Sequence, residues 1–110
     1  MQLNEHTEGS VTVLTVIGRL DNTTAPRLSE HLAATLAVRP RLLIELSQLD
    51  YISSAGFRAL LVAAKTARQS DGQIVLGGLS GQVRQLFEVG GFLNLFRVCA
   101  TRDEGLGLLR

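Results

Sequence analysis

The sequence predicts an α/β domain: a small mixed β-sheet, mostly parallel with an antiparallel edge hairpin, packed by about four helices. Three observations lead there. Short β-branched or continuously apolar runs recur at residues 11–17, 42–46 and 73–76. Segments with a helical apolar stripe stand between these runs, and helix-bearing crossovers make successive strands parallel and right-handed. The 110 residues suit one domain, 1–110, because a fold of this size buries about two-thirds of the roughly 17,000 Å² that its unfolded chain exposes.

The elements follow in order. Residues 2–6 and the run Val11-Thr12-Val13-Leu14-Thr15-Val16-Ile17 flank Glu8-Gly9-Ser10, which predicts the hairpin. Thr24 stands at an N-cap position with Pro26 in the first turn, where a missing N–H costs nothing. Leu28, Leu32 and Leu36 share one face of that helix, and Pro40 stops it. The compact run Leu42-Leu43-Ile44-Glu45-Leu46 is a strand covered by helices on at least one face. A second helix follows Ser53, with Phe57, Leu60, Leu61 and Ala64 as its buried stripe and Gly72 as its close. Gln73-Ile74-Val75-Leu76 is the next strand, ended by Gly77-Gly78. A third helix starts after Ser80, buries Val83, Leu86 and Phe87, and stops at Gly90-Gly91. A short strand is expected near Phe96-Arg97-Val98. Thr101 and Glu104 have capping-box spacing and open a last helix, which Gly105 and Gly107 weaken.

Charge and composition exclude several functions. Eleven basic and ten acidic residues leave a net charge of +1, spread along the chain, without the basic stripe of a nucleic-acid binder. No apolar run approaches the roughly 20 residues of a membrane span, and the first residues lack a secretory pattern. A single cysteine, Cys99, excludes an intrachain disulfide and a cysteine-clustered metal site, and points to a reducing, cytoplasmic compartment. Cys99 itself reads as a buried structural thiol. Phe92, Leu93, Leu95 and Phe96 pack in the core or meet a second copy in a homodimer.

Function in such a sheet gathers in the loops after the carboxyl ends of the strands. Two loops qualify: Gly18-Arg19-Leu20-Asp21-Asn22-Thr23-Thr24, and the segment from Ser47 to Gly56 that runs into the second helix. Ser53 or Ser54 therefore lies at a helix N-terminus, where unpaired N–H groups and the dipole favour a phosphate. The alternative is that both serines merely cap the helix, and that Asp21 is an ordinary turn acid. Catalysis is not expected. The two histidines, His6 and His31, lie outside both loops, and no Gly-x-Ser-x-Gly elbow occurs. No cofactor or metal site is expected.

The stretch Ile44-Glu45-Leu46-Ser47-Gln48-Leu49-Asp50-Tyr51-Ile52-Ser53-Ser54-Ala55-Gly56-Phe57-Arg58 resembles the signature of STAS domains, and more narrowly that of bacterial anti-sigma factor antagonists. Gly18-Arg19-Leu20-Asp21, followed by Ala25-Pro26, is similar to that family too. The resemblance implies that Ser54 is the phosphoacceptor, with Asp21, Ser53 and Gly56 near it. It also implies that Asp21, Asn22, Thr23, Ser53, Ser54, Ala55 and Arg58 meet the partner. Ala55 stands where the family carries a second Ser, and Ser53 where it carries Asp; with that carboxylate missing, phosphorylation is expected to be slow. A glycine at 56 is expected because a side chain there would crowd the helix against the sheet.

The function so implied is a switch. The unphosphorylated protein binds an anti-sigma factor that is also a serine kinase, and phosphorylation adds charge at the contact and weakens it. A phosphatase resets it. The alternative within the same family is an adaptor subunit of a stress-signalling or lipid-transport complex that needs no phosphorylation.

Overall fold

A computed structural model describes residues 1–110. The hairpin pairs β1 (Gln2–Glu8) antiparallel with β2 (Val11–Leu20), in register from Gln2 opposite Ile17 to Glu8 opposite Val11. Gly9 makes the turn with a φ of 61°, a conformation that costs glycine little. On its other edge β2 runs parallel to β3 (Arg41–Glu45), which is followed by β5 (Gln73–Gly77) and β6 (Val98–Cys99), also parallel. The strand order is β1-β2-β3-β5-β6.

One strand was hidden in the sequence. Residues 49–52 read as loop, yet β4 (Leu49–Ile52) pairs parallel with the far end of β2, from Gly18 opposite Leu49 to Leu20 opposite Ile52. A bulge between Gly18 and Arg19, where Gly18 has a φ of 97°, re-aims β2 so that it serves β3 first and β4 afterwards. The last strand also shifts, to Val98–Cys99 rather than residues 96–98.

Four helices pack on this sheet: α1 (Ala25–Val38), α2 (Ser54–Gln69), α3 (Gly81–Val89) and α4 (Arg102–Leu109), with a 3-10 turn at Leu93–Leu95. Because strand side chains alternate, β3 feeds two cores. Leu42 and Ile44 join the large core with Leu28 and Leu32 of α1, Phe57 and Leu60 of α2, and Val83 and Phe87 of α3. Leu43 points the other way, to Val75, Cys99, Leu106 and Leu109 beneath α4. Burial on both faces is why that strand is apolar without alternation.

The stripe of α2 keeps Phe57 and Leu60 as expected but then departs from the expected positions: Ala63 and Ala67 are buried, while Leu61 and Ala64 are half-buried. Phe92, Leu93 and Phe96 are half-buried and pack against the large core. Phe92 stacks on Phe57 at 4.3 Å, and Phe96 meets Phe87 edge-on at 5.7 Å, leaving Leu95 half exposed. Gly105 is a requirement and not a weakness, since a Cβ there would lie 2.6 Å from Leu43 Cδ1 and 2.9 Å from Cys99 Sγ. Cys99 is buried, and desolvation, followed by repulsion from Glu104 and Glu45, raises its thiol pKa.

Candidate functional site

Pairing of β4 with β2 brings the two loops together. Leu20 and Ile52 are register partners, so Asp21, Asn22 and Thr23 leave one strand beside the point where Ser53, Ser54 and Ala55 leave the other. Two bonds join them: the Ser53 N–H donates to the Leu20 carbonyl at 2.9 Å, and the Ser53 hydroxyl donates to Asn22 Oδ1 at 3.5 Å.

The first loop is a tight turn organised by Asp21. Its Oδ1 accepts from the Thr23 N–H at 3.0 Å, the Thr23 hydroxyl at 2.8 Å and the Thr24 N–H at 3.2 Å. These donors, the Thr23 hydroxyl first, hold the carboxyl below its ordinary pKa, so it stays ionised at neutral pH. Thr24 does not cap α1 with its side chain as expected. Its hydroxyl instead accepts from the Asp21 N–H at 2.9 Å and donates to the Arg19 carbonyl at 3.0 Å. Arg19 lies over the Tyr51 ring at 4.4 Å and places Nε 3.9 Å from Asp21 Oδ2. This Arg19–Tyr51 contact was missed in the sequence, because it exists only once β4 lies beside β2.

The second loop ends in the start of α2. Ser53 is the N-cap, its Oγ accepting from the Gly56 N–H at 3.4 Å. Ser54 is the first helical residue; it is exposed, and its hydroxyl makes no hydrogen bond within the chain. The capping role thus falls on Ser53 and leaves the Ser54 hydroxyl free. Gly56 sits where a Cβ would be 2.7 Å from Leu20 Cγ and 2.8 Å from Ile52 Cγ1, which seats the first turn of α2 directly on β2 and β4. Arg58 is exposed, one turn beyond Ser54, and has no ion-pair partner. A cleft of about 230 Å³ opens between α1 and α2 at this end, from Asn22 and Ala55 to Arg58 and Val62.

Acids of β1 hold both histidines: His6 pairs with Glu8 at 3.2 Å and His31 with Glu5 at 2.8 Å. Neither serine at the start of α2 is hydrogen-bonded to a histidine. No three His, Cys, Asp or Glu side chains converge as metal ligands, and no helix is long and apolar enough to cross a membrane.

Residues 2–105 match the family model of the STAS domain. The chain belongs to the STAS family. A Bordetella bronchiseptica protein, BtrV, named as a candidate anti-sigma factor antagonist, is 41% identical over 87 residues, spanning 78% of this chain and 75% of its own length. The anti-sigma-B factor antagonist of Listeria monocytogenes is 32% identical over 90 residues, spanning 81% and 79%. Among solved STAS-fold structures, the Bacillus anti-sigma factor antagonist SpoIIAA superposes in its unphosphorylated and phosphorylated forms with TM-scores of 0.76 and 0.74. Each is 16% identical and covers 99% of this chain, over 98% and 100% of the SpoIIAA chain, a likeness of fold.

Proposed function

We propose that this STAS protein is an anti-sigma factor antagonist that binds an anti-sigma factor with serine kinase activity, and that phosphorylation of Ser54 switches it off. The observation that carries the reading is the free, exposed Ser54 hydroxyl, one residue past a cap already satisfied by Ser53, beside the Asp21–Asn22–Thr23 turn. A phosphoryl group there adds nearly two negative charges at the positive end of α2, so the helix tolerates it. The cost falls on the partner, whose surface against Ser54, Asn22 and Arg58 gains a repulsive group. The protein is a substrate in this cycle, reset by a phosphatase, and the names of its Bordetella and Listeria relatives support the role.

The adaptor reading draws on one observation, Ser53 in place of the family's acid. A single experiment separates the two. Ser54→Asp should weaken binding to the anti-sigma factor at least about tenfold in calorimetry, and Ser54→Ala should bind normally while resisting phosphorylation. Undiminished binding by Ser54→Asp removes Ser54 from the contact and favours the adaptor.

A further inference from the structure

At the other end of α2, about 20 Å from Ser54 along the helix axis at ~1.5 Å per residue, lies a second concavity. It is a groove of about 190 Å³ between the last turns of α2 and the segment leading into β6. Its floor is apolar: Ala64 and Ala67 of α2, Ile74 of β5, and Leu95 and Phe96. Leu95 is 50% exposed.

Two arginines line it, Arg68 and Arg97, both exposed. Neither has a carboxylate within ion-pair distance, and no acid lines the groove, whereas Arg19, Arg84 and Arg102 all pair with acids. The carbonyls at the end of α2 are occupied: the Ser70 hydroxyl donates to Thr66 at 2.9 Å, and the Gly72 N–H to Ala67 at 2.7 Å.

The sheet adds backbone groups. Along β5, Gln73 and Gly77 bond towards β3, since the Gln73 N–H reaches Pro40 and the Gly77 carbonyl accepts from Leu46. Leu76 and Gly78 bond the other way, to Arg97 and Cys99. By this alternation Ile74 presents its N–H and carbonyl to the same edge as Leu76. Strand β6 begins only at Val98, so Ile74 faces the groove with no strand beside it.

We propose that this groove binds a small amphiphile bearing one carboxylate, the head held by Arg68, Arg97 and the Ile74 amide and the tail lying on Ala64, Ala67 and Leu95. The planar fork of a guanidinium matches a carboxylate, and two such cations without partners make an anion the complementary occupant. The volume falls below that of a drug-sized site, which sets the ligand at a short chain or a single ring.

The test is a backbone-amide NMR titration of the whole chain with octanoate below its micelle concentration, alongside octanol and acetate. Saturable shifts centred on Gly72, Gln73, Ile74 and Arg97 are expected, with octanol binding at least about tenfold more weakly and acetate not saturating. The double variant Arg68→Gln, Arg97→Gln should lose about tenfold in affinity and keep its thermal midpoint, because both side chains are exposed and unpaired. Octanol binding as well as octanoate, shifts scattered without saturation, or an unaffected double variant would each overturn the proposal. The octanoate and octanol comparison needs no variant. No partner protein enters the assay, so its failure leaves the reading of Ser54 standing.

Discussion

Replacing Gly56 by alanine tests how the site is seated. The new Cβ would lie 2.7 Å from Leu20 Cγ and 2.8 Å from Ile52 Cγ1. Both neighbours are branch-point or near-backbone atoms of side chains only 0% and 2% exposed, so neither swings away. The helix must lift instead. Overpacking of this kind costs about 1–3 kcal/mol, and alanine's better helix propensity returns ~0.5–1 kcal/mol at most. The net expectation is a loss of about 1–2 kcal/mol, a fall in Tm of roughly 5–10 °C for a domain near this size. Thermal unfolding followed by circular dichroism reads it directly. Lifting the first turn of α2 also separates Ser53 from Asn22, so partner binding should fall with stability. A Gly56→Ala protein as stable as the parent would refute the close seating of α2 on β2 and β4.

The same substitution made within α4 should split by environment. Gly107 has nothing within 4 Å of a built Cβ, so Gly107→Ala should stabilise by about 0.5–1 kcal/mol. Gly105→Ala, against Leu43 and Cys99, should destabilise in the same melts. Burial pulls the Glu5 carboxyl upward, but hydrogen bonds from His31 and Thr35 outweigh it and hold its pKa below the ordinary value. Its contribution is therefore complete above the unfolded-state value of about 4.3 and is lost as pH falls through the lower folded value. Glu5→Gln should lower stability at neutral pH, and urea titrations should show the gap to wild type closing in acid. Ser53→Asp should speed phosphorylation of Ser54 by a cognate kinase and shift stability by under about 1 kcal/mol, since Asp caps comparably. Mass spectrometry of the wild-type protein locates the phosphate; its appearance on Ser53 would move the acceptor by one residue.

How much of this protein the sequence determined follows from the range of each signal. The apolar runs of β2, β3 and β5, the stripe of α1 and the caps at Ser80 and Thr101 are local patterns, so the mixed sheet with four helices was legible residue by residue. So were the helix N-terminus at Ser53 and Ser54 and, through the resemblance, the crowding that calls for glycine at 56. Four-residue β4 was not, because it is too short for a period to declare itself and forms only where the bulge at Gly18 extends β2 beyond β3. Tertiary structure therefore decided the adjacency of the two loops, the stacking of Arg19 on Tyr51, and the diversion of the Thr24 hydroxyl from capping to the Asp21 turn. It also decided the meaning of glycine. By propensity Gly105 and Gly107 are equal weaknesses, yet one is required by the side chains of Leu43 and Cys99 and the other by nothing within reach. Which atoms crowd a missing side chain depends on contacts far apart in sequence, and only the packed sheet brings them together.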